Sequence, residues 1–351
     1  MLTTRPLDTK PIDVVMPVYN APELTRRCVA SMMAFLDESI NRVYIQDDAS
    51  DTKTREMLDV LDYPKLHVHH ANVNQGFGRS VNEAIKRSDA PLILVLNSDV
   101  EVLENFLPPL VAALEADPAL AVISPGGQPY ENFDLDRYFT NPPGCVRTHR
   151  LRGHAFLIRR QAFEELGGFD SAFGRGYYED VDLGRRLDEH AWRMGVHQKG
   201  GISHKEGASF GRGFSQRMLL KRNRDLYYSR HPNAKRNVFI LSDRCDLDDF
   251  PAEARDLIDD TLDRGARVDW LGTGPEVRLP ALQMRAVEKN LVSTILRFPL
   301  RHVLRRDKQI SEIWIVNPAP WHLRLLIRAI ATCCMIPVRT WSNAARTHEI
   351  A

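Results

Sequence analysis

The chain has 351 residues, 43% of them hydrophobic, which is enough to bury a sizeable core and, by length, suggests about two domains. Its 47 basic and 46 acidic residues leave a net charge of +1, without the basic excess expected of a protein that binds nucleic acid. The five cysteines, Cys28, Cys145, Cys245, Cys333 and Cys334, are scattered with no CxxC spacing, and read as reduced thiols of a cytosolic protein.

The opening MLTTRPLDTKPID lacks the apolar run of a signal peptide. Strand-like runs at 12–16, 42–46, 66–70, 92–96 and 120–124 then alternate with helical spacings at 23–35, 52–61, 78–87 and 104–116. Pro22 suits an early helical position and Asp51 an N-cap. This alternation predicts an α/β fold with a mostly parallel sheet covered by helices on both faces. The unbroken run Leu92-Ile93-Leu94-Val95-Leu96 fits a strand buried on both sides. From 132 to 152 the pattern is irregular, with Pro142, Pro143 and Gly144 marking a loop. A strand at 155–158, a short helix at 161–166 stopped by Gly167 and Gly168, and helices at 179–191 and 215–229 follow.

The segment His231-Pro232-Asn233-Ala234 reads as a boundary, giving a first domain over 1–232 and a second over 236–351. The second has strands at 237–241, 267–271 and 313–316 and helices at 251–264 and 321–331. It resembles half of a Rossmann-like sheet, yet carries no GxGxxG; Gly272-Thr273-Gly274 is weak evidence for a phosphate site, so a packing or oligomerisation role is expected. The late apolar segment 325–338 is broken by Arg328 and falls short of the roughly 20 residues that span a bilayer. The basic run Arg301-His302-Val303-Leu304-Arg305-Arg306 and the helix at 321–331 are either ordinary solvated and core faces or a peripheral contact with an anionic membrane.

Polar residues collect where the first-domain strands end, the edge at which open α/β sheets bind ligands. The first strand runs into Pro17-Val18-Tyr19-Asn20, the second into Asp47-Asp48, the fourth into Asn97-Ser98-Asp99. Each alone is compatible with turn chemistry. Asp99 also suits a hard divalent cation, which prefers oxygen ligands; it could instead cap the helix expected at 104, though the gap is too long for a direct cap. The stretch Asn74-Gln75-Gly76-Phe77-Gly78-Arg79 opens a helix, where anions are favoured, or is a tight loop with Arg79 solvated. Glu179, Asp180 and Asp182 crowd one helical first turn. They either complement the helix dipole or supply a general base, a role open to a carboxylate ionised at neutral pH. His204 taken alone is a solvated or structural histidine, one of 12.

VVMPVYNAPEL, IQDDAS, NVNQGFGRSVNEAI, LVLNSDVEV, GGFDSAFGRGYYEDVDLGRRL and the late His204 stand in the order seen in family 2 glycosyltransferases. The chain resembles most the rhamnosyl- and galactofuranosyl-type transferases of bacterial surface polysaccharides, over about 10–230. The resemblance implies a GT-A fold with a smaller C-terminal α/β unit. It places the base and ribose of a UDP- or dTDP-sugar at Pro17, Tyr19, Asn20, Asp47 and Asp48, and lays Asn74, Gly76 and Arg79 along the donor. Asn97 stands where the first Asp of the metal motif is usual, leaving Asp99 and His204 to hold Mn²⁺ or Mg²⁺. Asp180, with Glu179 beside it, takes the place of the base for an inverting transfer to a glycan or lipid-linked glycan hydroxyl. The loop 125–151 is expected to shape the acceptor site. A degenerate fold acting as a scaffold is the alternative, favoured by Asn97; a nucleotidyltransferase would need a basic glycine-rich loop where Tyr19-Asn20-Ala21-Pro22 stands. The sugar, the linkage and the oligomeric state are not legible.

Overall fold

The computed structural model describes residues 11–126, 145–197, 200–204, 214–243, 250–271, 284–287, 295–297, 309–316 and 318–341. Most of the expected acceptor loop, the Gly272-Thr273-Gly274 turn and the basic run at 301–306 lie outside the described residues. The chain forms two compact units, one ending at Tyr227 and the other running on from Tyr228.

In the first unit the elements are β1 (Ile12–Val18), α1 (Pro22–Leu36), β2 (Arg42–Asp47), α2 (Thr52–Asp59), β3 (Leu66–His70), α3 (Phe77–Ile85) and β4 (Leu92–Leu96). They continue with β5 (Val100–Val102), α4 (Leu107–Ala116), β6 (Leu120–Ser124), β7 (Cys145–Thr148), β8 (Ala155–Arg159) and α5 (Arg160–Glu165). The last are α6 (Glu179–Glu189), β9 (Arg193–His197), β10 (Ile202–His204) and α7 (Phe214–Arg230). One sheet holds eight strands in the order β3-β2-β1-β4-β8-β6-β9-β7. Only β8 and β7 run against the rest, so the fold is the mostly parallel α/β sheet expected.

The strand pattern explains the two covered faces. Side chains alternate along a strand, so β4 sends Leu92, Leu94 and Leu96 into one core and Ile93 and Val95 into the other. The first core is closed by Cys28, Val29, Met32 and Leu36 of α1 and Leu110 and Leu114 of α4. The second is closed by Val81 and Ile85 of α3, Phe163 of α5 and Leu183 and Leu187 of α6. A strand with no polar face is stable only between two such layers.

Local chemistry sets the ends of the elements. Asp51 caps α2 by accepting from the Thr54 N–H at 2.9 Å, and Pro22 opens α1, both as expected. Gly167 and Gly168, with φ of 70° and 72°, end α5. The helix expected from 104 begins instead at Leu107, where Asn105 Oδ1 accepts the Leu107 N–H at 3.1 Å. Pro108 and Pro109 lack N–H donors and are tolerated only in a first turn. The stretch 132–152, expected to be irregular, contains β7, a short strand that pairs, among the described residues, with β9. β5, β9 and β10 were also not foreseen, since strands of three to five residues carry little periodic signal.

The second unit has a five-stranded sheet built from β11 (Asn237–Ser242), β12 (Arg267–Leu271), β13 (Met284–Val287), β14 (Glu312–Val316) and β15 (Val338–Trp341). The order is β13-β12-β11-β14-β15 and every described pair is parallel. Among its described residues are the helices α8 (Ala252–Asp263) and α9 (Trp321–Cys333). Leu323, Ile327 and Ala331 of α9 pack on the sheet, at the i, i+4, i+8 spacing of a one-sided apolar stripe.

Candidate active site

Because β1, β2 and β4 are parallel neighbours, their carboxyl ends share one edge of the sheet. At the β1–β2 end the chain is tied down by polar groups. The Asn20 N–H donates to Ser50 Oγ at 2.8 Å, and the Asp51 N–H donates to Asn20 Oδ1 at 2.9 Å. Asp47 is fully buried. It accepts from the Ser50 N–H at 3.0 Å and Arg55 Nε at 3.3 Å and meets His70 Nδ1 at 2.8 Å. Asp48, also buried, accepts the backbone N–H groups of Gln75 at 2.6 Å and Gly76 at 2.8 Å, one on each oxygen. Asp48 therefore holds the loop before α3 in place, while Asp47 ties the end of β2 to α2 and to the end of β3. Pro17 is half-buried and Tyr19 is 42% exposed beside them. Asn74 donates to the Asp48 carbonyl at 3.3 Å while its own Oδ1 is buried without a partner among the described residues.

Gly76 joins this group to the next. It has φ of +89°, and a Cβ there would sit 2.4 Å from Arg175 Cα and 2.5 Å from the Gly174 carbonyl oxygen. The backbone of the loop before α6 thus rests directly on the start of α3, which only glycine permits. Arg79, one turn further, points elsewhere: it lines a separate 540 Å³ cavity with Gln75, Asn82, Arg160 and Phe163.

β4 leads into Asn97 and Asp99, and β5 pairs antiparallel with β10, setting His204 opposite Val100. That register brings His204 Nε2 to 3.2 Å from Asp99 Oδ1. The two atoms are not in hydrogen-bond geometry, and the Asp99 oxygen is buried with no hydrogen-bond partner among the described residues. Two donor atoms converging at this separation, one left orphaned, suit a shared cation, since ligand atoms at right angles around an ion with about 2.1 Å bonds sit about 3 Å apart. The residues present therefore fit a divalent metal. His154 stacks on His204 with centroids 4.7 Å apart and planes within 11°. Burial, then the neighbouring His204 and Arg152, push His154 down to about 3, so it stays neutral and adds no positive charge there.

A 360 Å³ cavity opens beside these groups, lined among others by Asn97, Arg150, Arg152, Tyr178, Asp180 and His204. Asp180 stands at the start of α6, its Oδ1 accepting the Val181 N–H at 2.8 Å and its Oδ2 the Gly153 N–H at 3.3 Å. Glu179 is buried, and burial first, then the Asp180 charge, raises its carboxyl to about 8. Tyr177 and Tyr178, just before them, have φ of 70° and 73°. Two successive non-glycine residues in the left-handed region cost roughly 1–3 kcal/mol each and tend to persist where a site requires them. Asp182 is not in the cavity lining; it pairs with Arg186 Nε at 2.8 Å.

The structure thus gathers Asn97, Glu179, Asp180 and His204 on one cavity with Asp99 against His204, and it gathers Asn20, Asp47, Asp48, Asn74 and Gly76 on the adjoining strand ends. His154, Arg150 and Arg152 escaped the sequence reading. Their only signal is the antiparallel β4–β8 register, which pairs Leu96 with Ala155 and so sets His154 beside Asn97.

Known proteins share parts of this sequence and its fold. The β-monoglucosyldiacylglycerol synthase of Synechocystis sp. is 29% identical over 44% of this chain, and the match spans 35% of that protein's length. The N-acetylglucosaminyl-diphospho-decaprenol L-rhamnosyltransferase of Mycobacterium tuberculosis is 25% identical over 58% of this chain and 79% of its own. The solved structure of GalNAc-T7 with UDP, GalNAc and Mn²⁺ shares the fold, with a TM-score of 0.51 at 14% identity over 73% of this chain and 55% of that one. Residues 13–180, from the buried β1 aspartate Asp13 to Asp180 itself, form a domain that matches Glycosyl transferase family 2.

Proposed function

We propose that this protein is an inverting, metal-dependent glycosyltransferase that moves a sugar from a UDP- or dTDP-linked donor to a hydroxyl of a glycan or lipid-linked glycan, in the synthesis of a bacterial surface polysaccharide. The observation that carries this reading is the convergence of Asp99 Oδ1 and His204 Nε2 at 3.2 Å beside the cavity that Asp180 lines. Mn²⁺ or Mg²⁺ bound by these two residues would act as a Lewis acid next to the donor diphosphate.

The chain's own groups supply the rest. Asp180 is held by two backbone N–H groups, which fix its carboxylate without occupying all four lone pairs. It removes the proton of the acceptor hydroxyl while that oxygen forms its bond to the anomeric carbon. The bond from that carbon to the diphosphate oxygen breaks on the opposite face, so the configuration inverts. Glu179, neutral below about pH 8, spares Asp180 a second negative charge at its side. Arg150 and Arg152 give the cavity a positive wall suited to the anionic donor. The strand-end network of Asn20, Asp47, Asp48 and Asn74 supports the nucleoside, with Gly76 allowing the loop 174–175 to close against it.

Two relatives bear names that place their chemistry on lipid-borne substrates. No described helix is long and apolar enough to cross a membrane. The α9 face away from its sheet exposes Trp321 by 66% and Leu325 by 61%, one turn apart, and this pair is where the protein would rest on a membrane carrying the acceptor. Incubation with a panel of UDP-, dTDP- and GDP-sugars, with Mn²⁺ or with EDTA, tests the enzymatic reading. Metal-dependent release of nucleoside diphosphate from one donor is the expected result. No turnover on any donor would favour a binding or scaffold role.

A further inference from the structure

The two left-handed tyrosines raise the question of what holds them. The answer lies on α7, in a residue that no motif of the sequence points to. Asn223 is completely buried, and its Nδ2 donates to three carbonyl oxygens of the loop before α6. These are Phe173 at 2.6 Å, Gly176 at 2.7 Å and Tyr177 at 3.0 Å. Its Oδ1 accepts from Arg222 Nη1 at 2.9 Å, which fixes the amide's orientation. An amide with two protons serving three acceptors is a convergence point, not a surface contact.

Neighbouring α7 residues reinforce it. Arg222 Nη2 donates to the Ala172 carbonyl at 3.2 Å, Gln216 Nε2 donates to the Tyr177 hydroxyl, and the Tyr227 ring lies 5.4 Å from that of Tyr178. The same loop presents Gly174 and Arg175 to Gly76 on the donor side and leads within two residues from Tyr178 to Asp180.

We propose that Asn223 is a positioning residue, whose amide pins the strained turn at 173–177 and thereby fixes where α6 presents Asp180 relative to the Gly76 loop. This rests on the reading of Asp180 as the base. Without the amide, three carbonyls of the turn lose this shared donor and the left-handed tyrosines lose part of their restraint, so the turn relaxes. The metal pair Asp99 and His204, on β4–β5 and β10, is left in place.

Asn223→Ser and Asn223→Ala test this with two readouts. The first needs no turnover: Arg175 is exposed in the pinned loop, so trypsin cleavage after it reports local opening. Cleavage is expected to be about tenfold faster in both variants, as for a segment released from its tertiary hydrogen bonds. The second is a split in kinetics. The kcat for transfer is expected to fall about 10- to 100-fold, the cost of misplacing a reacting group by about an ångström, while Mn²⁺ affinity in the presence of UDP stays at the wild-type value. A folded Ser variant with wild-type cleavage and wild-type kcat overturns the proposal. So does loss of Mn²⁺ binding in step with kcat, or failure of both variants to fold, since Asn223 is then a structural residue only. Should wild-type protein turn over no donor while the Ser variant is still cut faster after Arg175, the base role of Asp180 fails and the clamp stands.

Discussion

Gly76→Ala probes the contact that joins the two halves of the site. The new Cβ would lie 2.4 Å from Arg175 Cα and 2.5 Å from the Gly174 oxygen, whereas ordinary contacts begin near 3.4 Å. Backbone on one side must therefore retreat by about 1 Å, and overpacking of this kind costs about 1–3 kcal/mol. The backbone at φ 89° and ψ 168° is a glycine region that adds about 1–3 kcal/mol for any other residue. Together these come to about 2–6 kcal/mol, or a fall of roughly 5–20 °C in Tm for a unit of this size. Gly167→Ala is the control: its φ is +70°, but nothing lies within 4 Å of the added Cβ. It should lose only the conformational share, about 1–2 kcal/mol. Differential scanning fluorimetry of both variants, with sugar transfer measured alongside, separates the two effects. If Gly76→Ala melts no lower than Gly167→Ala and keeps wild-type transfer, the loop does not rest on Gly76 and the proposed coupling is wrong.

Three further outcomes are expected. Asp180→Asn keeps the shape and can still accept one of the two backbone N–H groups on its single amide oxygen, but it cannot take a proton, so kcat should fall at least about 10²-fold with donor affinity retained; transfer near the wild-type rate would remove Asp180 from the base role. Glu179 titrates higher folded than unfolded, so the stability it contributes is complete below about pH 4.5 and is lost as pH rises through about 8. Wild-type Tm should accordingly drop between pH 5 and 8.5 relative to Glu179→Gln, by an amount on the order of a few kcal/mol of stability; parallel melting curves for the two proteins across that range would show that Glu179 is already ionised. Finally, replacing Trp321 and Leu325 by Ser should weaken co-sedimentation with vesicles rich in anionic lipid, and equal sedimentation of wild type and variant would take α9 off the membrane.

The fold was legible where its signal is periodic. The unbroken apolar run of β4 and the alternation of β1, β2 and β3 with helices gave the parallel half of the sheet. Antiparallel β7 and β8 determine the other half, and β7 carries only four residues, too few for a pattern. The site was legible to the extent that its residues cluster in sequence: Asp47 with Asp48, Asn97 with Asp99, Glu179 with Asp180. His204 has no local signal, because a three-residue strand pairing across about a hundred residues brings it to Asp99. The same holds for His154, placed by strand register, and for Asn223, whose meaning lies in the three carbonyls it faces. Arg79 shows the converse. Its sequence neighbours Asn74 and Gly76 stay with the Asp48 network, but one further helical turn carries it to another cavity.

The account stands on a cation shared by Asp99 and His204, and isothermal titration of Mn²⁺ in the presence of UDP or dTDP measures that most directly. The wild type should bind one ion, and Asp99→Asn and His204→Ala should each weaken it by about 10- to 100-fold or more, as removal of a coordinating side chain does. Mn²⁺ affinity unchanged in both variants would contradict it.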